Sequence, residues 1–197
     1  MMKNIFLGFV GSLLIGCGLL LATQAIAQTV KVQNSPRPFT VVSPTSWVQQ
    51  PTSTGNSRIK FAAPSGTPAA ECAVIVKDFP GLRGEPQSTF DQQMAEPPNP
   101  REMASQLSSR YNNVKVFSTG VASVSGFPAQ LVNVQYSVGT PSGELWARGI
   151  TVTTATTPGL VWTITCGALG KNLDEAQKGY SYWQLEITRF LTNIKIR

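Results

Sequence analysis

The stretch LVWTITCGA, Leu160 to Ala168, alternates large apolar side chains with smaller or polar ones. Successive side chains of an extended strand point to opposite faces, so a period of two predicts a strand with two different surfaces. The more apolar face belongs in a core, and Cys166 points into it. The two faces are formed by Leu160, Trp162, Ile164 and Cys166 on one side, and by Val161, Thr163 and Thr165 on the other.

Further strands are predicted upstream, separated by turns and loops rich in glycine, proline and small polar residues. The segment 72–79 is apolar on both faces, which is typical of a central strand, and it directs Cys72 toward a core. Alternation is also clear at 129–138, which predicts a half-buried antiparallel strand. The strands predicted before Leu160 cover residues 39–42, 58–61, 72–79, 114–119, 121–125, 129–138 and 144–154.

Two asparagines mark helix starts. Asn99 precedes Pro100 and Glu102, which suit an N-cap, a first helical position and a capping box, so a helix is predicted over 100–111. Asn172 opens a second such start, and apolar and aromatic side chains recur from there at helical spacing to the end of the chain, Ile194 included. A short helix is also predicted over 88–95.

The order of these elements favours an α+β fold, in which an antiparallel β-sheet has helices packed on it. Without its first 27 residues the chain has about 170, which suit one core, and residues 39–197 are predicted to form a single domain. A polar stretch with two prolines near its end, residues 28–38, is predicted to be a flexible leader.

The first residues have the layout of a secretory signal, with a lysine, an apolar run over 5–21 and the cleavage pattern Ala-Ile-Ala at 25–27. Residues 1–27 are therefore predicted to be a signal peptide removed after Ala27, which places the protein in the periplasm. The segment Leu-Ile-Gly-Cys that ends at Cys17 also resembles the box at which bacterial lipoproteins are cut and lipidated. Cleavage before Cys17, with a lipid anchor in the membrane, stays as the alternative.

Two cysteines remain after removal of the signal, Cys72 and Cys166, and they form no Cys-x-x-Cys motif. In an oxidising export compartment an isolated pair is most simply one disulfide. Two buried free thiols are the alternative, since a free cysteine behaves as a small core residue.

The composition excludes several kinds of chemistry. The 197 residues include no histidine, so Ser-His-Asp and Cys-His catalytic sets and histidine-based zinc sites are absent, and no cofactor or metal is expected. The 16 basic and 10 acidic residues become 15 and 10, a net charge of +5, once the lysine of the signal is removed. The basic residues are scattered, which argues against nucleic-acid binding. Ser57 and Lys60 match Ser-x-x-Lys and leave a histidine-free Ser-Lys hydrolase as the enzymatic alternative.

The layout of the chain resembles the PsbP-like superfamily, which includes PsbP of photosystem II, the nuclear Ran-binding Mog protein and bacterial envelope proteins of the DcrB type. The features that carry the resemblance are Pro44 and Trp47 after a first strand, the strand 72–79 followed by an irregular stretch and a helix, Gly126-Phe127-Pro128-Ala129 entering a strand, the strand 160–168, and the closing aromatic helix. The resemblance implies an α/β/α sandwich that serves as a binding or assembly module, and it carries no catalytic residue.

A non-enzymatic periplasmic binding or assembly factor of the cell envelope is therefore predicted, monomeric or weakly associating, with an envelope protein as its partner. The alternative is a lipoprotein, tethered to the membrane through Cys17, that aids maturation of an envelope protein. Recognition concentrates on long loops and exposed aromatic residues. The candidate binding surface is accordingly the loop 80–98 with Phe90, together with Trp47 and Trp146. For Trp47 the favoured alternative is a ring that caps the edge of the core, and for Trp146 burial beside Ile150 is an equal alternative.

Overall fold

A computed structural model of the chain describes residues 27–52 and 56–197. Within these residues the chain forms ten strands, three α-helices and one short 3-10 helix, Pro80–Leu82. The strands are β1 (Thr29–Val32), β2 (Phe39–Val42), β3 (Val48–Gln50), β4 (Ser57–Ala62), β5 (Ala70–Asp78), β6 (Asn112–Val124), β7 (Phe127–Thr140), β8 (Gly143–Thr156), β9 (Leu160–Gly170) and β10 (Ile194–Ile196). The helices are α1 (Gln87–Met94), α2 (Pro100–Ser108) and α3 (Leu173–Thr192).

The described strands form two antiparallel sheets. The larger has seven strands in the order β3-β4-β5-β9-β8-β7-β6, and the smaller has three in the order β1-β2-β10. The prediction that 72–79 forms a central strand is confirmed, because β5 lies between β4 and β9. The predicted α+β fold with helices packed on an antiparallel sheet is confirmed as well.

One face of the large sheet carries α3 and the small sheet, and we call it the closed face. Trp162 is fully buried there, meets Phe39 of the small sheet edge to face with ring centroids 5.4 Å apart, and donates from Nε1 to Thr156 Oγ1 at 2.9 Å. The core between these layers also takes Trp183, Ile187 and Phe190 from α3. Asn172 caps the helix as predicted, since its Oδ1 accepts the Glu175 N–H at 2.9 Å.

The other face of the large sheet carries α1 and α2, and we call it the cleft face. Two smaller clusters hold these helices, with Met103 and Leu107 of α2 against β7, and Phe90 of α1 against Val161 of β9. Asn99 accepts from the Arg101 and Glu102 N–H groups at 2.9 and 3.4 Å, so the predicted start of α2 is confirmed. The layers therefore make an α/β/α sandwich.

Several expectations differ from the structure at element boundaries, among them the end of α2, which is Ser108 instead of residue 111. The predicted leader contains a strand, because β1 pairs with β2. The two strands predicted over 114–125 are the single strand β6, in which Gly120 stays extended and the true turn is Ser125-Gly126, with φ values of 57° and 89°. The final helix ends at Thr192 instead of continuing through Ile194, because Ile194–Ile196 pairs with the open edge of β2.

Candidate binding cleft

A cleft of about 80 Å³ opens on the cleft face of the large sheet, beside α2. Its floor is formed by β9, the central strand of the sheet, and by its neighbour β8. Residues of these strands lie directly opposite one another, Gly149 against Gly167 and Thr151 against Thr165. Thr163, two residues before Thr165, continues the same floor.

The two opposed glycines give the cleft its depth. A Cβ atom at Gly149 would lie 2.6 Å from the Cys166 carbonyl oxygen, and one at Gly167 would lie 3.1 Å from the Arg148 carbonyl oxygen. Real Cβ atoms do not approach backbone oxygens as closely as the first distance, so Gly149 is required by the close contact between β8 and β9. Neither glycine adds a side chain to fill the space above the floor.

Threonines make the floor both apolar and polar. The Thr151 and Thr165 hydroxyls form a hydrogen bond of 3.2 Å across the two strands. Thr151, Thr163 and Thr165 are half-buried, so each presents a methyl group and a hydroxyl to the same space. A floor of this kind suits a ligand that is mainly apolar but carries one or two hydrogen-bonding groups.

Two tyrosines form the wall of the cleft. Tyr111 follows α2, and its N–H still donates to the Leu107 carbonyl at 3.0 Å, which extends the helical turn. Its ring packs on that of Tyr136 from β7, with centroids 4.3 Å apart. Burial raises the pKa of Tyr136 well above its usual value of about 10, and Tyr111 and Glu71 add to this shift. The Tyr136 phenol therefore stays neutral at physiological pH.

The rim of the cleft carries charge. Glu71 of β5 lines the cleft and forms an ion pair of 2.8 Å with Lys60 of the neighbouring strand. Lys77, further along β5, has its pKa lowered by burial and then by the positive charge of Arg110. Glu71 therefore places a paired carboxylate at the cleft, with the Lys60 ammonium beside it.

The disulfide lies beneath the floor of the cleft. Cys72 and Cys166 face each other directly in the β5–β9 pair, with Cα atoms 4.1 Å apart, and their sulfurs are bonded. The predicted disulfide is thus present, and both residues are fully buried on the closed face. Cys166 lies between Thr165 and Gly167 in β9, so the bond ties the floor of the cleft to β5.

Two of the predicted surface residues belong to the core. Trp47 is 7% exposed and packs edge to face on Trp183 of α3, with ring centroids 5.2 Å apart. Phe90 is 1% exposed because α1 turns it onto Val161. The prediction that Trp47 and Phe90 form an exposed binding surface is therefore wrong, and the alternative that Trp47 packs at the edge of the core is confirmed.

The remaining predicted candidates do not reach the cleft. Trp146 is half-buried, and because it lies opposite the buried Ser137 in the β7–β8 pair it points to the closed face. The loop 80–98 becomes mainly the 3-10 turn and α1. Cys17 lies outside the described residues.

The threonine floor, the Tyr111–Tyr136 wall and the two glycines were not named as site residues from the sequence. The alternation of β9 did place Thr163 and Thr165 on the face opposite the core, and that was the available signal. The pairing of Gly149 with Gly167 depends on the register of two strands joined by a turn, which the sequence pattern does not supply.

The described residues contain no group of three or more acidic, cysteine or histidine side chains placed to hold a metal ion. The helices of residues 27–52 and 56–197 include none that is long and apolar enough to cross a membrane.

An α/β/α sandwich of this topology defines the class of the protein, which has a PsbP-like fold. The chain is similar to cyanobacterial PsbP (CyanoP) from Synechocystis sp. PCC 6803, with a TM-score of 0.53 and 9% identity over 92% of this chain and 98% of that one. It is also similar to LpqN of Mycobacterium tuberculosis, which is involved in cell envelope biogenesis, with a TM-score of 0.49 and 14% identity over 86% of this chain and 90% of that one. No protein-family model and no curated protein sequence matches the chain.

Proposed function

We propose that this protein is an exported, non-enzymatic binding or assembly factor of the cell envelope, and that it holds a partner protein through the cleft. The observation that carries the proposal is the size of the cleft, about 80 Å³. Pockets for cofactors and small-molecule substrates usually enclose roughly 300–1,000 Å³. A cleft a few times smaller suits one anchoring side chain of a partner, as at the centre of a protein interface.

The lining of the cleft indicates the kind of partner side chain. Threonine methyl groups and the Tyr111 and Tyr136 rings favour an apolar or aromatic anchor, and the threonine hydroxyls can bond its backbone. The Lys60–Glu71 ion pair beside the cleft can form further polar contacts with residues next to that anchor.

Export is supported by the disulfide and by the secretory layout of residues 1–27. Disulfides persist in oxidising compartments such as the periplasm and are rare in the cytosol. The compartment is tested by the intact mass of the protein isolated from its own envelope, before and after reduction. A chain that begins at Gln28 and gains about 2 Da on reduction supports the periplasmic form. A chain that begins at Cys17 and carries acyl chains contradicts it and establishes the lipid-anchored alternative.

Binding through the cleft is tested by photo-crosslinking in the host cell. A photoreactive phenylalanine analogue is placed at Leu169, which lines the cleft, and in a second strain at Leu185, which is 63% exposed on the outer side of α3. We expect one adduct of defined mass from Leu169 and no such adduct from Leu185. Equal adducts from both positions, or none from Leu169, would contradict the proposal.

The Ser-Lys hydrolase alternative is disfavoured by the contact that Lys60 makes. A Ser-Lys mechanism uses the lysine amine as its base. The Lys60 ammonium lies 2.8 Å from the Glu71 carboxylate, and this ion pair keeps it from acting as that base. A serine-reactive fluorophosphonate probe tests this point. The proposal expects no labelling of Ser57, and covalent labelling of that residue would restore the enzymatic alternative.

A further inference from the structure

The side chain of Arg148 extends on the closed face of the sheet, beside α3, whereas the carbonyl oxygen of the same residue lies at the floor of the cleft. Its Cζ atom is 4.2 Å from the centre of the Phe117 ring and 4.6 Å from the centre of the Tyr180 ring. Phe117 belongs to the edge strand β6 and is 41% exposed. Tyr180 belongs to α3, and its hydroxyl donates a hydrogen bond to Asn133 Oδ1. The guanidinium therefore extends from β8 across β7 toward the edge strand β6, in contact with both rings.

Only one nitrogen of this guanidinium is used within the described part of the chain. Nη1 donates to the Gly149 carbonyl at 3.0 Å and to the Val134 carbonyl at 3.3 Å. Nε and Nη2 have no acceptor among the described residues. These two nitrogens form the edge of a guanidinium that binds two oxygens of one oxyanion through parallel hydrogen bonds.

A second cation lies at the same ring. Lys115 Nζ is 4.9 Å from the centre of the Phe117 ring, and the lysine is exposed on β6, so its flexible side chain can move toward Arg148. Neither Lys115 nor Arg148 forms an ion pair with a described carboxylate. The acid nearest along β8 on this face, Glu144, accepts instead from Ser137 and Asn113.

We propose that Arg148 and Lys115 form a binding site for a phosphate monoester group. Such a group carries a charge of about −1.5 to −2 at neutral pH, which matches two uncompensated cations, and it offers three acceptor oxygens. Two of these oxygens bind Nε and Nη2 of Arg148, and the third binds Lys115. The phosphate belongs either to a small soluble molecule or to a lipid headgroup with a terminal phosphate.

Calorimetric titration with inorganic phosphate at low ionic strength tests the site, because salt screens exposed charges. The full mature chain is compared with Arg148→Gln, Arg148→Lys, Lys115→Gln and Arg101→Gln. Arg101 is an exposed arginine of α2 on the other side of the sheet, so its variant makes the same change of charge elsewhere. We expect Arg148→Gln to bind about 10-fold more weakly, as for loss of charge-assisted hydrogen bonds.

Arg148→Lys keeps the charge but lacks the paired donors, so we expect it to bind more weakly than the unsubstituted protein. Lys115→Gln, at an exposed position that leaves the core intact, is expected to weaken binding by a few-fold. Equal losses in Arg101→Gln and Arg148→Gln would show diffuse attraction and overturn the site. Acetate binding as tightly as phosphate, through the same residues, would overturn the choice of phosphate.

A second titration distinguishes the two sources of the phosphate. Phosphatidylcholine vesicles with and without phosphatidic acid are mixed with the protein and sedimented. Arg148-dependent binding to the phosphatidic acid vesicles identifies a lipid headgroup, and phosphate binding without vesicle binding identifies a soluble phosphate compound. Absence of both kinds of binding would overturn the inference, and neither result depends on the cleft on the opposite face.

Discussion

The two faces of the large sheet have opposite characters, although they share the same strands. On β9, Trp162, Ile164 and Cys166 are sealed under α3 and the small sheet, whereas Thr163 and Thr165 lie half-buried in the cleft. The closed face has large side chains in close packing and a disulfide. The cleft face is packed beneath α1 and α2, but beside α2 its central strands carry small side chains and an unfilled space. We infer that the closed face supplies most of the stability and that the cleft face is free to bind.

The largest expected effect comes from neighbours on β9 that point to opposite faces. Trp162→Ala should lower the free energy of unfolding by about 3–5 kcal/mol, because it empties a fully buried site and removes the bond to Thr156. Thr163→Ala, on the cleft face, should cost less than about 1 kcal/mol. Urea denaturation measures both. Similar losses in the two variants would contradict the division between the faces.

The disulfide gives the next largest effect. It joins strands 94 residues apart in sequence, so replacing both Cys72 and Cys166 by alanine should cost about 2–4 kcal/mol, mainly through the greater freedom of the unfolded chain. The midpoint of thermal unfolding measures the loss. The unsubstituted protein treated with a reductant serves as the control, and a reduced form as stable as the oxidised one would exclude this contribution.

The helix caps compare the two covering layers directly. Asn172 caps α3 on the closed face and Asn99 caps α2 on the cleft face, each through its side-chain oxygen. Either substitution by alanine should cost about 1 kcal/mol. Hydrogen exchange should then show local opening of α2 in Asn99→Ala, and protection lost over the whole sheet in Asn172→Ala. Local opening in both variants would mean that α3 is no more coupled to the core than α2.

The smallest effect concerns the wall of the cleft and appears only at high pH. The pKa of Tyr136 is raised in the folded protein, so its neutral form is favoured on folding. This contribution is complete below the unfolded value of about 10 and is lost as the pH rises above it, by about 1 kcal/mol at pH 10.5. Tyr136→Phe should therefore lose less stability than the unsubstituted protein between pH 9 and pH 10.5. If the free energy of unfolding depended on pH identically in the two proteins, Tyr136 would not be shielded from water.

Local pattern was sufficient for most elements of the fold. The period of two in β9 and in 129–138 identified the strands and their faces, and the residues after Asn99 and Asn172 identified two helix starts. Tertiary contacts decided the exceptions. Ile194 fits the helical spacing of α3, but β2 has a free edge that a strand of Ile194–Ile196 satisfies better.

The candidate site was harder to predict for a physical reason. An aromatic residue on a predicted turn or loop has the same sequence signature whether it is exposed or packed, and Trp47 and Phe90 are both packed. The cleft arises because α2 packs on β7 and leaves β8 and β9 beside it uncovered. Its floor is made of threonine and glycine, which carry no distinctive sequence pattern. Arg148 gained its role from Phe117 and Tyr180, which are distant from it in sequence.

The most direct test of the two-face account fills the cleft without touching the core. Thr165→Leu places a larger apolar side chain in the cleft, and Thr188→Leu makes the same change on the exposed side of α3. Stability by urea denaturation and the adduct from the Leu169 photo-crosslinker are measured on the same preparations. The account predicts that the free energy of unfolding of Thr165→Leu stays within about 1 kcal/mol of that of the unsubstituted protein, and that this variant loses the adduct. Thr188→Leu is expected to keep both the stability and the adduct. An adduct of undiminished yield in a folded Thr165→Leu protein would contradict the account.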